Sequence, residues 1–281
     1  KVFGWPGVGS YAIDALTAAA GADAVLTDAV TCDFFAHDVY ASGKPPLAVF
    51  RPATIDQLAR GVAAATAHGT AIVPRGGGMS YTGGYLYSGG GFVLVDTSAL
   101  DAIVDINPID MTVTVEAGCT WAKLHDALKP LGLRAPSWGT LSGLRAAIGG
   151  GMSQNGTFWG ARGGSVVDSA LSFDVVLADG RIVSTGSDFF RPFGPDLTGL
   201  FAADTGAFGV KARVTLRLGK EATAFAIALK DRFNVPVYVT DERLTSAEAR
   251  AQIFESGGYK ALKKAALDSL AAKLILEQWL A

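Results

Sequence analysis

Pro74-Arg75-Gly76-Gly77-Gly78-Met79-Ser80-Tyr81-Thr82-Gly83-Gly84 follows directly on Ala71-Ile72-Val73, an apolar run that reads as a buried strand. Consecutive glycines enter positive φ without steric cost, so successive backbone N–H groups can turn to one side as a nest for an anion. Such a nest neutralises a diphosphate without a basic side chain, and Ser80 and Thr82 add hydroxyl donors. Glycine content alone fits a flexible surface loop equally well; the position after a buried strand favours a binding site. No G-x-G-x-x-G opens a helix here and no Gly-Lys-Ser/Thr follows, which excludes a Rossmann fingerprint and a Walker loop.

Upstream of the loop, Leu47-Ala48-Val49-Phe50 reads as a short strand closed by Pro52. Thr54-Ile55-Asp56-Gln57 has the form of a capping box, with Thr54 as N-cap and Gln57 reaching back. The helix it opens runs through Leu58 and Val62 to Ala67 and stops at Gly69. Downstream, Phe92-Val93-Leu94-Val95 makes the next strand, so the order predicts an α/β unit with a right-handed crossover. Met111-Thr112-Val113-Thr114-Val115 alternates like a strand that ends by Gly118. Thr120 caps a helix over residues 121–128, stopped by Pro130 and Gly132. Asp179-Gly180 between apolar runs at 173–177 and 182–184 signals a hairpin. Residues 1–44 contain a predicted helix over 12–20 and an irregular aromatic stretch over 33–40.

Composition narrows the function classes. A chain of 281 residues with 49% apolar content can bury a sizeable core and hold more than one folded unit. Twenty-four basic against 26 acidic residues argue against a nucleic-acid footprint spread over the surface. No apolar run is long enough to span a bilayer, and no signal peptide is expected although the chain opens on Lys1. Cys32 and Cys119 lie far apart without metal-ligand neighbours, as expected of reduced thiols in a cytoplasmic chain. The outlier is glycine, 35 residues gathered in clusters, which places backbone rather than side chains at the centre of the chemistry.

A second cluster carries a resemblance. Gly139-Thr140-Leu141-Ser142-Gly143 leads through Ile148-Gly149-Gly150-Gly151 to Ser153-Gln154-Asn155-Gly156 and Phe158-Trp159-Gly160. Gly194-Pro195-Asp196-Leu197-Thr198-Gly199-Leu200-Phe201 and Asp204-Thr205-Gly206-Ala207-Phe208-Gly209-Val210 follow. In this order, residues 30–218 resemble the FAD-binding domain of vanillyl-alcohol-oxidase-type flavoproteins, in the glycolate oxidase and D-lactate dehydrogenase branch. The resemblance implies that Pro74, Arg75, Gly76, Gly77, Gly78, Met79, Ser80, Thr82, Gly83 and Gly84 cradle the pyrophosphate. It implies that Thr140, Ser142, Gly149, Gly150, Ser153, Asn155, Gly156 and Gly160 lie along the cofactor. Gly209 and Val210, with Gly206 beside them, would read the adenine end. Members with covalent flavin often use a histidine in the first loop or a cysteine in the second. Here Met79 and Ser80 occupy the first loop and the second holds no cysteine, so the resemblance implies non-covalent FAD. Of the three histidines, His37, His68 and His125, the last two fall outside these motifs and read as structural.

After Leu218 glycine becomes scarce and helical periodicity dominates. Val235-Pro236-Val237-Tyr238-Val239 reads as a strand, Thr245 and Glu248 as a capping box, Gly257-Gly258 as a stop, and Asp268 as the start of a last helix. Residues 222–280 resemble the C-terminal half of Holliday-junction-resolvase-like pre-ribosomal-RNA nucleases, which have a ribonuclease-H fold. Asp241-Glu242-Arg243-Leu244-Thr245 and Glu255-Ser256-Gly257-Gly258-Tyr259 carry that likeness. Such enzymes hold divalent metal on several carboxylates, and the half bearing the first catalytic aspartate has no counterpart here, so neither nuclease action nor a metal is expected.

The expected fold is α+β: a two-subdomain FAD-binding domain of the PCMH type, then a mostly helical segment resembling half of a ribonuclease-H-like fold. The expected division is an N-terminal arm over 1–44, the FAD-binding domain over 45–218 and a nuclease-like fragment over 219–281. The implied function is FAD-dependent oxidation of a small hydroxy acid or alcohol by hydride transfer. One alternative is a flavin-binding module without turnover, since the substrate-binding cap that follows this domain in the family is replaced by the nuclease-like segment. The other, disfavoured because the first catalytic aspartate is absent, is a nucleic-acid nuclease acting through the C-terminal segment. No catalytic residue emerges from the sequence.

Overall fold

The computed structural model describes residues 8–136, 142–155, 164–187 and 194–220, with residues 229–234, 236, 270 and 273 beyond them. The chain divides into two compact units, Lys1–Lys220 and Glu221–Ala281. The strand, capping box and helices expected between residues 235 and 280 lie outside the described residues, apart from isolated positions.

The first unit is built on two sheets. One takes β1 (Val25–Leu26), β2 (Ala48–Phe50), β3 (Ala71–Arg75) and β4 (Phe92–Asp96) in the order β1-β2-β4-β3, with β2, β4 and β3 parallel and β1 antiparallel at the edge. The other takes β5 (Ile103–Asn107), β6 (Thr112–Glu116), β8 (Ala170–Val176), β9 (Ile182–Ser184) and β10 (Val210–Arg217), all antiparallel, in the order β5-β6-β10-β8-β9. A small ribbon pairs β7 (Leu133–Arg134) with β11 (Gly219–Lys220).

Helix α1 (Val8–Ala20) packs on α3 (Ile55–Ala67), and both cover one face of the first sheet. Helix α1 is therefore built into this layer: its Leu16 is buried against the cluster of Phe50, Leu58 and Val62. The opposite face is smaller, with Phe35 of α2 (Ala29–Phe35) against Val49, Phe92 and Leu94. That helix occupies the start of the segment expected to be irregular. The second sheet buries Val113, Val115, Phe173 and Val214 under α4 (Trp121–Leu128), α5 (Ile148–Gln154) and α6 (Leu197–Phe201). Val176, Val210 and Ala212 of the second sheet join the cluster under α3, so the two sheets share a core.

Helix α3 starts as its sequence dictates, with Thr54 Oγ1 accepting from the Gln57 N–H at 3.1 Å. Gln57 departs from the reciprocal pattern. Its Oε1 accepts from the Ala53 N–H, one residue before the cap, and its Nε2 donates to the Ala20 carbonyl, fastening α3 to the end of α1. Thr120 caps α4, and Gly132 takes the left-handed conformation after it, as expected. The hairpin at Asp179-Gly180 forms, with Gly180 at φ +80°. Met111 leaves the strand expected of it: it sits at φ +57° in the turn before β6.

Candidate functional site

The chain leaves β3 at its C-terminal end, beside that of β4, and residues 74–82 line a cavity between the sheets. Gly78 at φ +71° turns the chain where a side chain would be strained. Gly77 passes so close to the second layer that an added Cβ would run into the Arg145 carbonyl. Among the described residues, the backbone N–H groups of residues 76–81 find no hydrogen-bond acceptor. From Thr82 onward the loop braces itself: Ser80 Oγ accepts from the Thr82 and Gly84 N–H groups at 3.2 and 3.1 Å. The Gly83 N–H donates to Asp38 Oδ2 at 2.8 Å. Burial pushes the Asp38 carboxyl up, but the Ala41, Tyr40 and Gly83 N–H groups outweigh it and hold the pKa below the usual carboxylate value.

Arg75 closes the base of this loop. Its guanidinium lies 4.5 Å from the Phe35 ring centroid and 5.2 Å from that of Tyr85. Its Nε is buried without a hydrogen-bond partner among the described residues. Tyr85 Oη sits 2.9 Å from the His37 carbonyl and 3.0 Å from that of Gly78, and burial raises its pKa while Arg75 opposes the rise.

The second wall comes from α5. Its sequence, Ile148-Gly149-Gly150-Gly151-Met152-Ser153-Gln154, has poor helix propensity, yet tertiary contacts hold it as a helix. The Ile148 N–H donates to the Cys119 carbonyl and the Gly149 N–H to that of Ala117, both at 2.8 Å. An added Cβ at Gly149 would lie 2.6 Å from the Ala117 Cβ, so only glycine allows that approach. At Gly150 a Cβ would meet nothing within 4 Å, because that face looks into the cavity. Gln154 Oε1, at the far end of the helix, accepts from Thr82 Oγ1 at 3.2 Å and joins the two walls.

The third wall is the turn from α6 into β10, with Thr205, Gly206, Gly209, Val210 and Lys211 on the cavity. Lys211 Nζ lies 2.5 Å from Asp204 Oδ1 and 2.9 Å from Ser153 Oγ. Both charged side chains are nearly inaccessible, at 2% and 1% exposure. Burial, the larger effect, pulls the Lys211 pKa down, and the Asp204 carboxylate opposes it.

The cavity thus gathers Pro74, Arg75, Gly76, Gly77, Gly78, Met79, Ser80, Thr82, Gly84, Gly149, Gly150, Ser153, Gly206, Gly209 and Val210 of the residues expected to form a site. Gly83, Ser142 and Asn155 stand outside it. Gly83 is the turn residue held by Asp38, Ser142 Oγ lies 3.4 Å from the Tyr81 hydroxyl, and Asn155 is the left-handed cap of α5. Thr140, Gly156 and Gly160 lie outside the described residues. Tyr85, Thr97, Ala117, Ala147 and Lys211 line the cavity without having been foreseen. None of the three histidines and neither cysteine lines it. No group of three metal-ligating side chains occurs among the described residues.

These walls suit a dinucleotide such as FAD. Unpaired amides and a buried, unpartnered guanidinium nitrogen suit a diphosphate. A face left bare at Gly150, with Ala117 and Ala147 also on the lining, leaves room for an uncharged part of the cofactor.

A family profile described as FAD binding domain matches residues 46–186, and one described as Holliday junction resolvase matches residues 215–281. Over 175 residues the chain is 31% identical to the glycolate oxidase subunit GlcD of Bacillus subtilis (strain 168), covering 62% of this chain and 37% of that protein. Over 62 residues it is 58% identical to a protein of Actinobacillus pleuropneumoniae serotype 5b (strain L20) that carries the name of a pre-16S rRNA nuclease, covering 22% of this chain and 45% of that one. The chain therefore spans less than half the length of these curated relatives. Among solved structures, p-cresol methylhydroxylase with substrate bound superposes with a TM-score of 0.67 at 19% identity, covering 96% of this chain and 59% of that one. The 4-ethylphenol oxidase of Gulosibacter chungangensis does so at 0.62 and 20% identity, over 78% of this chain and 44% of that one. These two likenesses show the fold.

Proposed function

We propose, since this chain belongs to the FAD-binding domain family, that it binds one FAD without a covalent tether and serves as an FAD-dependent oxidoreductase. The observation that carries the reading is the meeting of two distant glycine segments, residues 74–84 and 148–154, on one cavity where the N–H groups of residues 76–81 find no acceptor among the described residues. Bound FAD supplies a hydride acceptor, and the protein's part is to hold and orient it. The N–H groups of residues 76–81 and the buried Arg75 Nε would take the diphosphate. Gly149, Gly150 and Ala147 leave room for the chain of the cofactor, and Gly206, Gly209 and Val210 would meet the adenine. Thr140, Ser142, Asn155, Gly156 and Gly160 remain part of the proposed cofactor site on sequence grounds.

The substrate proposed is a small hydroxy acid or alcohol, on the likeness to the glycolate oxidase subunit. Non-covalent binding is part of the proposal, and the described lining of the cavity, which holds neither histidine nor cysteine, supports it. No membrane or nucleic-acid partner is proposed: no helix among the described residues is long and apolar enough to cross a membrane. The nuclease relatives are matched over less than half their length. Both cysteines are buried free thiols, which supports a reducing, cytoplasmic setting.

The purified chain should show flavin absorption bands that pass into the supernatant on acid precipitation, and anaerobic glycolate or D-lactate should bleach them. Colour retained in the pellet would instead mean a covalent tether. A second reading, a flavin-binding module without turnover, draws on the switch of family pattern at residue 215. It predicts bands that no hydroxy acid bleaches. A colourless chain that takes up no added FAD would remove both readings.

A further inference from the structure

We propose that Lys211 is a positioning residue for the cavity: its ion pair with Asp204 and its hydrogen bond to Ser153 lock the turn 202–209 onto α5 and set the spacing of the walls that receive the nucleotide. This rests on the FAD reading above.

The turn is strained where it meets the cavity. Ala203 and Thr205 both lie in the left-handed region, at φ +56° and +54°, although neither is glycine. Such a conformation persists only where neighbours over-determine it. Here the Ala203 N–H donates to the Met152 carbonyl at 2.9 Å and the Thr205 N–H to that of Ser153 at 3.0 Å, so the strained backbone rides on the end of α5. Asp204, between them, folds the turn from inside by accepting from the Gly206 N–H at 2.9 Å. Gly206 then abuts the first sheet, since an added Cβ there would come within 2.9 Å of Pro74 Cγ. One turn therefore touches β3, α5 and β10, which carry the three walls of the cavity.

Lys211 is the side chain that ties them. It leaves β10 where the register with β8 slips between Lys211 and Arg213. A buried ammonium is costly, and a pair of apolar residues would give comparable or better stability. A charged pair at this position is therefore better explained by geometry than by stability. It gives Nζ two acceptors, one on the turn and one on α5, which an apolar side chain cannot link.

The double variant K211M/D204N separates the two roles in the full chain. Met keeps the length of the side chain, and Asn can still accept from Gly206, so no uncompensated charge is left, as K211M alone would leave. The double variant should melt at or above the parent's temperature when flavin-free. It should nevertheless bind FAD about tenfold or more weakly by flavin-fluorescence titration, since preorganisation of the walls is lost. Hydrogen exchange at the Ala203 and Thr205 amides of the flavin-free protein should quicken. A double variant matching the parent in FAD affinity and in exchange at both amides would overturn the proposal and leave the pair a structural feature. A parent that binds no FAD would instead remove the site reading on which the proposal stands.

Discussion

At the scale of single residues, the glycines of this site are distinguished by what surrounds them rather than by the motif they share. Gly150 occupies an ordinary helical position with open space where its side chain would be. Replacing it by alanine should therefore stabilise the flavin-free protein by about 0.5–1 kcal/mol, the helix-propensity gain, while its methyl group intrudes on the cavity. Urea denaturation and FAD titration of G150A should move in opposite directions, with affinity falling as stability rises. Equal affinity would show that this face does not meet the cofactor. Cys119 offers a second test. Burial, against a smaller pull from Lys123, pushes its thiol up to about 11 from 9.0. The folded thiol thus holds its proton more tightly than the unfolded one. Its contribution to stability is complete below pH 9 and declines as pH climbs toward 11, by about 2–3 kcal/mol in all. The fall in urea stability between pH 9 and 11 should be shallower in C119A, and the native thiol should resist disulfide reagents at pH 8. The sequence made the glycine loops visible as sites. It concealed Lys211, because Val210, Ala212, Val214 and Leu216 alternate with Lys211, Arg213 and Thr215 as if the polar face met water.

At the scale of elements, local signals were decisive where they acted locally. Caps at Thr54 and Thr120 and stops at Gly69 and Gly132 marked α3 and α4. The helix α5 was illegible for the opposite reason: its glycines lower helix propensity, and what holds it is close approach to Ala117 and Cys119, far away in sequence. The same physics gives a prediction at Gly61, in the middle of α3. An alanine there should favour the helix, yet its Cβ would strike the Phe50 ring and crowd Leu16. Overpacking costs about 1–3 kcal/mol, more than the propensity gain of about 1 kcal/mol. G61A should therefore lower the denaturation midpoint, and an F50L substitution in the same chain should recover part of the loss. A midpoint that rises in G61A would mean that the Phe50 ring and Leu16 can give way at small cost.

At the scale of the whole molecule, two family patterns meet in one chain, and the structure divides it close to that meeting point. The profile for the second family begins at residue 215, inside β10, while the compact units part after Lys220. The end of β10 belongs to the first unit on physical grounds. Val214 and Leu216 are buried in its core, and Arg217 pairs in register with Thr112. Gly219 and Lys220 still pair with Arg134 and Leu133. A chain ending at Lys220 keeps every described residue of the cavity and every strand around it, whereas one ending at Ala207 loses β10 and with it the Lys211 tie. The first truncation should remain folded and take up FAD within a few-fold of the full chain's affinity, and the second should not fold. Loss of flavin on cutting after Lys220, with the melting transition retained, would show that the second unit contributes to the site. Retention would show that the flavin site is complete in the first unit, and that whatever residues 221–281 do, they do independently of it.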